Sequence, residues 1–238
     1  MTATVTDESV LDAPVWQSLT GVHGRFAERL GRAARYHRDV APFHALADPA
    51  DPAAWHDLTR LAGPGAEIAV AGPIPHEHPG WELTAEIPGV QLIDVTRRAE
   101  PDPEAVILSA ADVPEILDLI ARTQPGPFRP RTVELGTYLG IRRGGALIAM
   151  AGERLRPPGW TEISAVCTDP AYRGQGLATR LVRAVAAGIR ARGETPFLHT
   201  SATNTSAIRL YESIGFRLRR HTTFAGYRRR SDLHSIGP

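Results

Sequence analysis

The chain has 238 residues and a formal net charge of +1, with 42% hydrophobic and 22% charged residues, which is the composition of an ordinary globular protein. The sequence contains no lysine, which excludes both a P-loop, whose lysine contacts the terminal phosphates, and lysine Schiff-base chemistry. The balanced charge argues against nucleic-acid binding. No apolar run approaches the ~20 residues that cross a bilayer, so we expect neither nucleic acid nor a membrane as a partner.

Cysteine usage and the first residues predict a cytoplasmic protein without structural cross-links. Cys167 is the single cysteine, so it forms no disulfide within the chain, and we expect no metal site. The opening residues, MTATVTDESV, are polar and acidic, unlike a secretory signal.

The first hundred residues show a weak alternation of elements. Residues 15–35 and 52–63 are predicted as helices, 40–47 and 67–73 as strands, and 81–94 as one bent strand or two. We interpret residues 1–101 as an α/β region. It is either a degenerate half-copy of the fold that follows, which we favour and which would close the acceptor side of a site, or an unrelated cap or dimerisation segment.

A break at RRAEPDPEAV, residues 97–106, separates this region from a more regular one. Residues 102–230 alternate apolar strands with amphipathic helices, and Gly144-Gly145 marks a hairpin turn. Asp112 and Asn204 are placed to cap helices. The pattern predicts an α/β protein with a mixed sheet and helices on its faces, and residues 231–238 are expected to be a flexible tail.

The stretch DPAYRGQGLATRLV, residues 169–182, leaves the main chain bare where a helix begins. Gly174 and Gly176 allow close approach to the backbone, and Arg173 adds a positive charge. Free N–H groups at a helix start bind anions such as a diphosphate. A dinucleotide-binding fingerprint would have a third glycine where Thr179 stands, so that class of site is not favoured.

Two separated motifs resemble the GNAT (GCN5-related N-acetyltransferase) superfamily, and within it the FR47-like branch. The first is the segment 173–178, RGQGLA, preceded by AVCTDPAYRG. The second is NTSAIRLYESIGF, which matches the family pattern through five residues: Asn204, Ala207, Tyr211, Gly215 and Phe216. The resemblance covers roughly residues 104–230 and implies the GNAT fold, with acetyl-CoA as co-substrate and no metal.

The resemblance also implies roles for named residues. Main-chain groups near Val166, Cys167 and Thr168 would bond the pantetheine arm, and Asn204 would bond it from the other side. The diphosphate would be held by the turn and the helix start, which comprise Arg173, Gly174, Gln175, Gly176, Leu177, Ala178 and Thr179.

Acyl transfer to an amine further needs an oxyanion donor, an acid and a base. The N–H of Val166 would serve the oxyanion, and Tyr211 would protonate the departing sulfur, as the matching tyrosine does in many members of the family it resembles. For the base we favour Glu162, because histone-type members of the superfamily have their general base at the same spacing, eleven residues before Arg173. We expect that a partly desolvated cleft raises its pKa. Glu153 and ordered water remain the alternatives.

The acceptor is not readable from the sequence. Phe128 and Arg129 occupy a segment where this fold generally receives its acceptor, and Arg129 would suit a carboxylate. The predicted function is transfer of an acetyl group to a primary amine, of a small molecule or a protein, by direct attack in a ternary complex. A non-catalytic acyl-CoA sensor is the alternative, and a homodimer is left open.

Overall fold

The computed structural model describes residues 7–72, 78–96 and 98–230, which contain five α-helices and eleven strands in two sheets. The predicted tail, residues 231–238, lies outside the described residues. The smaller sheet is antiparallel and comes from the N-terminal part, in the order β1 (Ala27–Leu30), β2 (Ala33–Tyr36), β3 (His44–Leu46). The helices α1 (Pro14–Thr20) and α2 (Pro52–Ala62) pack beside it.

The larger sheet has eight strands and mixes parallel with antiparallel pairs, as the sequence predicted. Its order is β4-β11-β5-β10-β9-β8-β7-β6. The bounds are β4 (Glu67–Ala71), β5 (Trp81–Asp94), β6 (Val106–Leu108), β7 (Tyr138–Arg143), β8 (Ala146–Glu153), β9 (Trp160–Thr168), β10 (Thr195–Ser201) and β11 (Phe216–Arg229). The remaining helices are α3 (Val113–Thr123), α4 (Leu177–Ala191) and α5 (Thr205–Ser213).

The N-terminal part contributes strands to both sheets. Its strands β4 and β5 enter the large sheet, where β5 lies between β10 and β11 and pairs antiparallel with both. Among the described residues before 101, the named strands pair only antiparallel, and Phe43 and Ala69 form an isolated parallel bridge. The half-copy interpretation of this region stays a prediction. The sheet continues across the break, while the division at residue 101 into domains stays a prediction.

The predicted helix over 15–35 is only partly present, because α1 ends at Thr20 and a hairpin follows. Gly31 adopts a left-handed φ of +52° between β1 and β2, which suits a tight hairpin turn. Glu28 and Arg35 then face each other across the two strands, with the Nη2–Oε2 distance at 2.7 Å. Segment 81–94 forms a single strand.

The core that positions the site lies between α4 and the centre of the large sheet. Leu181, Val185 and Ile189 recur on one face of α4 and are fully or almost fully buried. This spacing is that of an amphipathic helix, and it packs α4 against β7, β8, β9 and β10. In the part of the chain that the structure describes, every helix is too short or too polar to cross a bilayer.

Candidate active site

The large sheet opens between its two parallel central strands. β9 and β10 pair from Trp160 and Thr195 to Ile163 and Leu198, and both then continue without pairing to each other. β9 carries a bulge against β8 just past this point. There Ala165 has a φ of +53°, an uncommon conformation for a residue with a Cβ. A bulge leaves a residue unpaired in the ladder, so the sheet offers main-chain groups at the opening.

The glycine turn leads from β9 into α4 at the base of this opening. Gly174 and Gly176 have φ values of +78° and +73°, which glycine adopts without strain. No side chain caps α4. Among the described residues, none accepts a hydrogen bond from the N–H groups of residues 174–179. Six consecutive free amides at the positive end of a helix form an anion site.

A cleft of about 1130 Å³ joins the turn to the strand opening. Ten of the eleven residues predicted to bind the cofactor line it: Val166, Cys167, Thr168, Arg173, Gly174, Gly176, Leu177, Ala178, Thr179 and Asn204. Gln175 is exposed and does not line the cleft. Residues from both sequence motifs therefore lie on one continuous surface, and binding of the cofactor to this surface stays a prediction.

Tyr211 and Asn204 enter the cleft from α5. Tyr211 packs on Phe216, keeps 8% of its surface exposed and lines the cleft. Burial raises the pKa of its phenol to about 12, and no described residue hydrogen-bonds its hydroxyl group. Asn204 caps α5, its Oδ1 accepting from the N–H of Ala207 at 3.2 Å. Its side-chain amide is left to donate, so capping and ligand binding are compatible.

The thiol of Cys167 lines the cleft but is not set up as a nucleophile. Burial raises its pKa to about 11, against weaker opposing hydrogen bonds. A thiol that stays protonated at neutral pH is a poor nucleophile, so Cys167 is a small residue in the cleft wall.

Glu162 departs from the expectation of a cleft base with a raised pKa. It is completely buried and does not line the cleft. Its carboxylate accepts from Nε and Nη2 of Arg154, both at 2.8 Å, and lies 2.7 Å from Nδ1 of His199. Burial opposes ionisation, but the Arg154 charge and these hydrogen bonds prevail and hold the pKa of Glu162 well below its usual range. The expected upward shift is therefore wrong.

The hydrogen bonds also determine which ring nitrogen of His199 donates, and this side chain does line the cleft. An ionised carboxylate only accepts, so Nδ1 of His199 donates to Glu162. Nε2 of the imidazole then accepts from the side-chain amide of Gln91 at 3.0 Å. The three side chains Arg154, Glu162 and His199 thus form one hydrogen-bonded group at the cleft wall.

Three further candidates lie away from the cleft. Glu153, the reserve base, is buried and accepts from Nη2 of Arg192 at 2.9 Å. Phe128 is buried against Tyr138 with ring centroids 5.4 Å apart, and Arg129 is exposed. None of the three lines the cleft. Residues 124–127, directly before Phe128, do line the cleft, and the acceptor role of Phe128 and Arg129 stays a prediction.

Part of the cleft is lined by residues that the motifs did not indicate. Phe43, Val70 and Ile87 come from the N-terminal part, while Phe224 comes from β11. Gly89 makes room for Phe224, since a Cβ at residue 89 would overlap its ring. The N-terminal part thus lines one side of the cleft, and its expected role in closing the acceptor side stays a prediction. No local sequence pattern connects these residues.

A sheet opened between two parallel strands, with free amides at its base, is the arrangement that the resemblance to the GNAT family implies. Comparison with known proteins agrees. Residues 138–225 match the family described as FR47-like protein. A crystal structure from Novosphingobium aromaticivorans DSM 12444, described within the GNAT family, is 42% identical with a TM-score of 0.84, covering 93% of this chain and 99% of that one. The chain belongs to the GNAT family.

Two curated relatives match shorter segments. N-alpha-acetyltransferase RimI of Mycobacterium tuberculosis is 40% identical over 82 residues, which are 33% of this chain and 51% of that protein. Mycothiol acetyltransferase of Thermobispora bispora is 44% identical over 69 residues, 29% of this chain and 23% of that protein. The match spans about half of the first relative and about a quarter of the second.

Proposed function

We propose that this protein is an N-acetyltransferase that moves the acetyl group of acetyl-CoA to a primary amine by direct attack in a ternary complex. The observation that carries the proposal is the run of six free amides, residues 174–179, at the base of the opening between β9 and β10. The amides suit a diphosphate, and the opening suits an extended arm that reaches the bulge at Ala165.

The chain supplies two groups to the reacting centre. Bound acetyl-CoA supplies an activated thioester. The N–H of Val166, at the bulge, would donate to the oxygen that gains negative charge. The hydroxyl of Tyr211 would donate to the departing sulfur, and its raised pKa keeps the phenol protonated for that purpose.

Removal of the amine proton does not need a carboxylate in this cleft. Glu162 and Glu153 are both buried and occupied by arginines, so neither is available to an amine. We assign the proton to water in the cleft, the alternative that the sequence left open.

One observation favours a second candidate function. Because neither candidate carboxylate is available, the same cleft could bind acyl-CoA without turning it over, as a sensor. The two curated relatives do not indicate which acceptor this protein uses, because one is named for N-alpha acetylation and the other for mycothiol. A homodimer also stays a prediction.

Two measurements separate these functions. Calorimetric titration with acetyl-CoA tests the cleft, and release of free CoA thiol over an amine panel tests transfer. Binding together with amine-dependent thiol release is the expected result. Binding without release on any amine would favour the sensor, and no binding would overturn both functions.

A further inference from the structure

We propose that the acceptor is an apolar α-amino acid and that Arg154 binds its carboxylate while the apolar walls hold its side chain. This inference rests on the proposed transferase function and names the substrate class of the same cleft. Arg129, the sequence-based candidate for binding a carboxylate, does not reach the cleft, whereas Arg154 lines it.

The guanidinium of Arg154 has one edge left for a ligand. Its Nε and Nη2 form the side edge, which Glu162 occupies with two hydrogen bonds of 2.8 Å. Phe43 covers one face, with its ring centroid 5.0 Å from Cζ. Nη1 makes no hydrogen bond with any described residue. The end edge, formed by Nη1 and the second hydrogen of Nη2, is therefore the part of Arg154 open to a ligand.

An arginine held by one carboxylate can bind a second. In this chain Arg180 donates to both Asp102 and Glu104, with its Nη2 at 2.8 and 2.9 Å from their carboxylate oxygens. Guanidinium presents donors along two edges, and carboxylates fit either edge in a bidentate manner. Glu162 in addition fixes the orientation of Arg154, so little side-chain entropy is lost when a ligand binds.

The rest of the acceptor end selects against a second positive charge. Its walls include Phe43, Val70, Ile87 and Phe224, all apolar. Within the described part of the chain, no Asp or Glu lines the cleft, and its charged lining residues are Arg154 and Arg173. A polyamine or a basic side chain would find no ion partner there. An amine with a carboxylate and an apolar body fits both features.

The experiment compares matched acceptors that differ in the carboxylate. L-Phenylalanine, L-phenylalaninamide and spermidine are tested by CoA thiol release. We expect kcat/KM for phenylalanine to exceed that for the amide by about tenfold to hundredfold, the range for a hydrogen-bonded charge. Spermidine should be the poorest acceptor. Calorimetric titration of the CoA complex with N-acetyl-L-phenylalanine and its amide gives the same comparison without turnover.

Variants assign the preference to Arg154. Arg154→Lys keeps the positive charge next to Glu162 but removes the guanidinium group with its two edges of hydrogen-bond donors. The double variant Arg154→Met/Glu162→Gln removes both charges of the buried ion pair. Both should bring the two acceptors to within about threefold of each other. The matched control is Arg190→Lys: Arg190 also binds a carboxylate, that of Asp94, through Nε and Nη2, but outside the cleft. It should keep the preference.

The possible results separate a failure of this inference from a failure of the proposed transferase function. Suppose that the protein binds acetyl-CoA and acetylates spermidine or phenylalaninamide with a kcat/KM equal to that for phenylalanine. This result would overturn the inference and leave the proposed transferase function intact. No turnover on any amine, with carboxylate-selective binding of N-acetyl-phenylalanine, would overturn the transferase but support Arg154 as a carboxylate site. Equal binding of the acid and its amide would overturn that assignment.

Discussion

Glu162→Gln separates an ion-pair role from a catalytic role for this residue. The substitution keeps the shape of the side chain but removes the charge that Arg154 meets through two hydrogen bonds of 2.8 Å. Removing one partner of a buried pair costs about 3–5 kcal/mol. Because Arg154 keeps 13% of its side-chain surface exposed, we expect the lower end, about 3 kcal/mol, or roughly 6–12 °C in Tm.

The loss should depend on pH in a defined direction. The pKa of Glu162 is lowered in the folded protein, so its contribution is complete above the unfolded pKa of about 4.3. It is lost as the pH falls through the lower folded value. Urea denaturation should therefore show the full difference between native protein and Glu162→Gln at pH 7, and a shrinking one below about pH 4.

Two further variants complete the test. Glu134→Gln, which removes an exposed pair with Arg131, should cost less than about 1 kcal/mol. Arg154→Met/Glu162→Gln should regain much of the stability that the single variant loses. A Glu162→Gln protein with native stability, a large fall in kcat and no acidic limb in its pH profile would refute the reasoning and restore Glu162 as the base.

The remaining predictions use point substitutions. Gly176→Ala should weaken acetyl-CoA binding in calorimetry by about tenfold or more, because residue 176 has a φ of +73° that alanine adopts only with strain. The control Gly188→Ala lies in the interior of α4 with free space around it and should leave binding intact. Equal effects of the two variants would contradict the anion site. Tyr211→Phe should keep acetyl-CoA affinity and lower kcat by about 10²-fold or more; unchanged kcat would remove its role. Gly152→Ala should cost about 1–3 kcal/mol in urea denaturation, since its Cβ would overlap the ring of Tyr138, and native stability would argue against this packing.

The sequence by itself determined the parts of this protein that depend on local chemistry. The glycine turn before α4, the hairpin at Gly144-Gly145 and the cap at Asn204 were predicted and are present. Each rests on backbone sterics or on a hydrogen bond between residues a few positions apart, which a short segment carries wherever it lies. The two motifs also predicted a shared cleft, because they flank consecutive strands of one sheet.

Only the tertiary structure decided what surrounds those parts. Nothing local places β5 between β10 and β11, or brings Phe43 against Arg154, because strand order and cleft walls come from contacts far apart in sequence. For the same reason, the sequence did not predict the direction in which the pKa of Glu162 shifts. Burial alone raises a carboxyl pKa and a buried arginine lowers it, so the sign depends on a partner that only the folded chain provides.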